Sequence, residues 1–122
     1  MIASYVCVKV LMHAPFHIFD LFTRMITDVP ASGILNELDL ESRMLENDLW
    51  RRHLPMTREA FSILRFCQFV HAVKTGQKMC SVQELPPDHI EFYKTTVVRL
   101  IHANELPFSA AEQFDHTFIM AA

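Results

Sequence analysis

Glycine is scarce in this sequence: only Gly33 and Gly76 occur in 122 residues. The phosphate-binding loops G-x-G-x-x-G and G-x-x-x-x-G-K-[ST] need closely spaced glycines, because only glycine lets the backbone approach a phosphate so closely. The G-x-S-x-G turn of the α/β-hydrolases is absent for the same reason. The sequence therefore excludes nucleotide binding through these loops and gives no sign of a serine hydrolase.

Cysteine is also scarce, with Cys7, Cys67 and Cys80 alone. An odd number of cysteines without C-x-x-C spacing predicts neither a disulfide framework nor a zinc knuckle, and favours a reducing compartment. The N-terminal stretch MIASYVCVKVLMHA lacks the basic region and cleavage site of a signal peptide, and every apolar run is too short to cross a bilayer. We therefore expect a cytoplasmic protein that is not inserted in a membrane.

Proline, in contrast, occurs six times and divides the chain into segments. Within most segments the apolar residues recur at intervals of three and four, which is typical of amphipathic helices. This pattern predicts one all-α domain over residues 1–122, a bundle of five to six helices delimited by prolines. Residues 2–11 are an exception, because Val6, Val8 and Val10 alternate as in a strand, so this N-terminal segment is either extended or helical.

The segment PFHIFDLFTRMITD, residues 15–28, carries apolar side chains around most of its helical wheel. A helix buried on one side needs an apolar arc of only roughly 100°. The excess predicts a homodimer with this helix at the interface, since exposed apolar surface marks interaction sites and twofold dimers are the commonest oligomers. The alternative is that this helix lies at the centre of a single bundle. The predicted interface residues are Phe16, Phe19, Phe22, Ile26 and, from the following helix, Trp50.

A third helix is predicted between Thr57, a capping residue, and Gly76, which suits the left-handed position past a helix end. Within it, Cys67 and His71 are four residues apart, the spacing with which one helix face presents two ligands to a metal. Both fall on the apolar arc of the wheel, and a structural metal site needs two further ligands. We therefore expect both side chains in the core and no bound metal. If the protein binds a cofactor, Cys67 and His71 are the candidate contacts. No catalytic residue is predicted.

The charges are unevenly distributed along the chain. Residues 43–78 carry seven Lys or Arg and three Asp or Glu, a net charge of +4, whereas residues 1–42 and 79–122 carry −3 and −4. A basic segment of this kind can bind phosphates. The stretch SGILNELDLESRMLENDLWRRHL is a candidate helix-turn-helix in which Arg51 and Arg52 would contact the phosphates. Its acidic residues would face the phosphates, so nucleic acid is not the expected partner. A small nucleic-acid-binding regulator is kept as the second alternative.

The stretch TGQKMCSVQELPPDHIEFY, residues 75–93, resembles part of the small truncated bacterial globins, in which a Gly-x-x-Met run precedes a leucine and then a helix. It covers about a sixth of the chain. Gln83 or a neighbour stands where such a globin has its haem-binding histidine. The resemblance implies a haem-like or other apolar ligand as an alternative.

The sequence shows no recognisable set of catalytic residues, and its predicted helices carry more apolar surface than one core-facing side requires. Our first hypothesis is a non-enzymatic helical module that acts through homo-oligomerisation or by docking to a protein partner. The first alternative is a bundle that holds a small ligand or cofactor between phenylalanine, methionine and cysteine side chains.

Overall fold

A computed structural model describes residues 18–53, 56–79 and 81–121. The questions about residues 2–11 and Phe16 fall outside these residues. In the described part the elements follow in this order: α1 Ile18–Asp28, a 3₁₀ turn Ala31–Gly33, α2 Ile34–Trp50, α3 Arg58–Lys74, β1 Gln83–Leu85, α4 Pro87–His102, α5 Ser109–Thr117 and β2 Phe118–Met120. The all-α prediction is confirmed. No helix among these residues has the length and apolar character needed to span a membrane.

The chain divides into two compact units, and the boundary falls inside α3, between Cys67 and Gln68. Unit 1 contains α1, α2 and the first part of α3. Unit 2 contains the last part of α3, both strands, α4 and α5. The organisation of residues 1–122 as one domain stays a prediction.

In unit 1, α1 buries one face rather than its whole circumference. Its buried side chains are Ile18, Phe19, Phe22 and Ile26, whereas Leu21 and Met25 are half-exposed. The helix starts where the backbone N–H of Phe19 donates a hydrogen bond to Glu59 Oε1 at 3.0 Å, which satisfies one of the donors that a helix start leaves open. Phe19, Phe22 and Ile26, three of the residues assigned to a dimer interface, are at most 5% exposed and are therefore covered by their own chain.

The second helix of unit 1, α2, covers residues 34–50 of the candidate helix-turn-helix segment 32–54 as one continuous helix. Because the motif needs two helices joined by a turn, this helix gives the candidate no support. The buried residues of α2 recur at alternating intervals of four and three, as on one helix face. They are Ile34, Leu38, Glu41, Leu45 and Asp48. We call this row the α2 seam, and two of its five members are acidic.

The ends of α3 are where the sequence predicts them. The backbone N–H of Ala60 donates to Thr57 Oγ1 at 3.1 Å, which caps the first turn. Gly76 has φ +77°, and the N–H of Gln77 donates to the carbonyl of Ala72 at 2.7 Å, the closing bond of a Schellman motif. Both capping predictions are confirmed.

The faces of α3 differ from the prediction. His71, expected in the core, is exposed. The buried side chains of α3 in unit 2 are Phe69, Val70, Ala72 and Val73, and at about 100° per residue the centre of this buried arc lies roughly opposite His71. The buried face in unit 1 points in another direction. A helical wheel drawn over the whole of α3 averages these two directions, and it therefore predicted burial for His71, which is exposed.

Unit 2 is built around aromatic side chains. The Phe69 ring centroid lies 5.7 Å from that of Phe114 and 5.3 Å from that of Phe118, both in edge-to-face geometry. Tyr93 of α4 is fully buried and its ring lies 6.5 Å from that of Phe118. Pro87 is at the first position of α4, as predicted, since its missing N–H costs nothing there.

The two strands form a short parallel sheet in unit 2 that the sequence analysis did not predict. Gln83 pairs with Phe118, Glu84 with Ile119, and Leu85 with Met120. The N–H of Ala121 extends the pairing by donating to the carbonyl of Leu85 at 2.9 Å. Each strand has three residues, which is too short to show an alternating pattern.

Candidate functional sites

The α2 seam places a carboxyl group inside unit 1. Glu41 is 0% exposed, between apolar residues of its own helix face. Burial, with a smaller contribution from the negative charge of Glu37, raises the pKa of Glu41 to about 8. Ionised carboxylates are costly to bury, so the group takes up a proton instead. Glu41 is therefore mostly a neutral acid at pH 7.

Cys67 also belongs to unit 1 and is 3% exposed, so its predicted place in the core is confirmed. Burial raises the pKa of the Cys67 thiol well above its usual range, and the negative charges of Glu41, Asp39 and Glu46 raise this pKa further. The thiolate is the reactive form of cysteine, and both effects disfavour it. In this structure Cys67 therefore packs as a small apolar residue of the core.

The structure gives Cys67 and His71 opposite surroundings, since one side chain is buried and the other is exposed. They therefore do not form a site in which both side chains bind one metal ion, which is the kind of site that their spacing suggests. Among residues 18–53, 56–79 and 81–121, no group of three or more His, Cys, Asp or Glu side chains is arranged to hold a metal ion. After burial itself, the negative charge of Glu41 is the largest of the effects that raise the pKa of the Cys67 thiol. The four-three spacing of the α2 seam is the signal that could have revealed it.

A second feature of unit 1 is the surface where α2 ends and α3 begins. Trp50 is 71% exposed at the last position of α2, and Phe61 is 38% exposed in α3. The guanidinium of Arg65 lies 5.9 Å from the centre of the Phe61 ring, within the range of a cation–π contact. We call this the basic-aromatic surface. It is defined by residues that are close in sequence, at the end of α2 and in the first half of α3: Trp50, Arg51, Arg52, Arg58, Phe61 and Arg65.

The acidic residues near this surface are already engaged. Asp48 is 4% exposed, and its Oδ1 lies 3.7 Å from a guanidinium nitrogen of Arg52. Glu59 accepts the hydrogen bond at the start of α1. Residues 51, 52, 53 and 58 are all exposed and all of basic type. The surface therefore presents positive charge beside a large exposed aromatic ring.

Unit 2 contains a cavity of about 180 Å³ beside the C-terminal ends of α3 and α5. Its floor is apolar and includes Phe69, Ala72 and Val73, whereas Lys78 and His116 lie among its polar lining. The volume is below the roughly 300 Å³ at which pockets for drug-sized ligands begin. This cavity is therefore too small for a haem.

Comparison with known proteins finds no matching protein family, no matching curated protein and no matching solved structure. The globin resemblance gains no support from the structure either. Gln83, at the position compared with a haem-binding histidine, lies in β1 and pairs with Phe118.

Proposed function

We propose that this protein is a non-enzymatic helical module that docks to an acidic segment of a protein partner through the basic-aromatic surface. The observation that carries the proposal is the 71% exposure of Trp50 beside Arg51 and Arg52. Tryptophan and arginine are the residues most enriched among the few that dominate binding energies at protein interfaces. Tryptophan is highly buried on average, so a ring that is 71% exposed beside two arginines is a candidate for burial against a partner.

The charge of this surface favours an acidic partner over a second copy of the chain. On a twofold axis the same patch faces itself, so Arg51, Arg52 and Arg58 of two copies would meet like charges. Like charges brought together at an interface weaken association, whereas an acidic segment gains steering and specificity. The homodimer predicted from the sequence remains a proposal, and among the predicted interface residues that the structure describes, Trp50 is the one with an exposed side chain.

The experiment uses Trp50 as a reporter, since it is the only tryptophan in the chain. Its fluorescence is followed while the protein is titrated with a synthetic amphipathic peptide that carries glutamates on one face and leucines on the other. We expect a saturable blue shift that weakens with added salt, because ion pairs at an exposed surface are screened. Changing both Arg51 and Arg52 to Gln is expected to weaken binding at least tenfold.

The matched control is Arg43→Gln, which removes an arginine that is exposed and paired with Asp39 on the outer side of α2. It is expected to leave peptide binding unchanged. Equal weakening by Arg43→Gln would show a general charge effect and contradict the proposal. A shift that depends on protein concentration alone would establish the homodimer instead. Tighter, steeply salt-dependent binding to a duplex oligonucleotide would establish the nucleic-acid alternative.

A further inference from the structure

The cavity in unit 2 has an apolar floor made by the last turns of α3. Phe69, Ala72 and Val73 are each at most 8% exposed, so the side chains that reach the cavity are fixed in the core. Phe69 is further held by edge-to-face contacts with Phe114 and Phe118. A floor fixed in this way is present before a ligand arrives, which reduces the entropic cost of binding.

The volume limits the ligand to a small molecule. An apolar cavity of about 150 Å³ is large enough for benzene. The cavity here measures about 180 Å³, which leaves room for one ring and a small substituent. Larger cofactors and nucleotides do not fit.

The polar lining sets the charge of that substituent. Lys78 contributes an ammonium group and His116 an imidazole, and none of the described lining residues is acidic. A ligand with a carboxylate can pair with Lys78 while its apolar part covers the floor, as in other small-molecule sites that combine apolar walls with a few polar groups.

We propose that this cavity binds a small monocarboxylate with a single ring or a branched apolar group. The apolar part packs on Phe69, Ala72 and Val73, and the carboxylate pairs with Lys78, with His116 as a second donor. This site lies in unit 2 and does not depend on the docking surface proposed for unit 1.

The test is a titration of isotope-labelled protein with sodium benzoate, followed by NMR, with benzyl alcohol as the neutral probe of similar size. We expect saturable shifts at the backbone amides of Phe69, Ala72 and Val73, with benzoate binding about tenfold more tightly than benzyl alcohol. Lys78→Gln is expected to remove this difference and to leave the weak binding of benzyl alcohol. Lys78 is exposed, so this change should not disturb folding.

Two controls separate a built site from surface charge. Lys74→Gln removes a nearby lysine whose ammonium lies 3.9 Å from the Glu105 carboxylate and does not line the cavity, so benzoate binding should persist. Ala72→Leu fills the floor and should abolish the binding of both probes while the fold is retained. Shifts confined to exposed lysines, equal binding of inorganic phosphate, or no effect of Lys78→Gln would overturn the proposal.

Discussion

The two units bury different chemistry. Unit 1 places carboxyl groups among aliphatic side chains, with Glu41 0% and Asp48 4% exposed. Unit 2 buries an aromatic cluster, and its buried Thr96 hydroxyl donates to the carbonyl of Phe92 at 3.0 Å in the same helix. A locally bonded hydroxyl does not titrate, whereas a buried carboxyl group does. Burial of Glu41 should therefore make the stability of unit 1 depend on pH as well as on packing.

The largest expected effect tests packing in unit 2. Phe114→Ala removes a ring that is 1% exposed and contacts both Phe69 and Phe118. Loss of a buried phenylalanine side chain costs about 3–5 kcal/mol, because apolar burial is lost and a cavity remains. We expect a decrease of this size in the free energy of unfolding, measured by urea titration, without a change between pH 5 and pH 8. Phe108→Ala, at a site that is 85% exposed, is the control and should change stability by less than about 0.5 kcal/mol.

The next largest effect tests the pH dependence of unit 1. The pKa of Glu41 is raised from 4.5 to about 8, so the folded protein holds a proton that the unfolded chain releases above pH 4.5. The stability that this proton contributes is fully present below pH 4.5 and is lost as the pH rises towards 8. At about 1.4 kcal/mol per pH unit, the stability lost between pH 4.5 and pH 7 is at most about 3.5 kcal/mol.

Glu41→Gln should remove this dependence, because glutamine keeps the size of the side chain and cannot ionise. We expect unfolding free energies of the variant that change little between pH 5 and pH 8, with the variant more stable than the native chain at pH 8. Glu91→Gln, an exposed acid of α4, is the control and should keep the native pH profile. A native profile that is already flat would remove the contrast between the units.

The sequence predicts the helices well, because their starts and ends depend on local chemistry. Thr57, Gly76 and Pro87 each act where short-range rules place them. The buried faces are predicted less well, since burial depends on what packs against each helix. The prediction for His71 was wrong because the residues buried in the last turns of α3 lie on the side of the helix opposite to it.

The candidate sites were harder to predict than the helices. An isolated glutamate such as Glu41 is expected at the surface. Its burial can be predicted only from its place between Leu38 and Leu45 on the same helix face. The sheet depends on pairing between β1 and β2, which are more than thirty residues apart, and three-residue strands leave no local pattern. The cavity likewise joins segments from both ends of unit 2, so spacing along the sequence could not reveal it.

A smaller effect is expected at the unit 2 end of α3. Gly76 has φ +77°, and a Cβ added there would meet nothing within 4 Å, so the cost of Gly76→Ala is conformational and not steric. The left-handed region costs an alanine about 1–2 kcal/mol. We expect that loss of stability in urea titrations, and a smaller loss for Gly76→Asn, because asparagine tolerates this conformation better. Equal losses for both variants would indicate that something besides backbone conformation is disturbed.

The smallest effect is expected at the unit 1 end of the same helix. Thr57 is exposed and makes one capping hydrogen bond, to the N–H of Ala60 at 3.1 Å. Replacing a capping threonine by alanine costs about 1 kcal/mol, because the N–H at the helix start loses its protein acceptor and only water replaces it. Thr57→Ala should therefore lower the unfolding free energy by that amount, equally at pH 5 and pH 8, since no titrating group is involved. Thr57→Ser keeps the hydroxyl and should retain most of the stability. If the loss in Thr57→Ala grew with pH, the cap would be coupled to the buried Glu41, and the pH dependence of unit 1 would extend beyond the α2 seam to the start of α3.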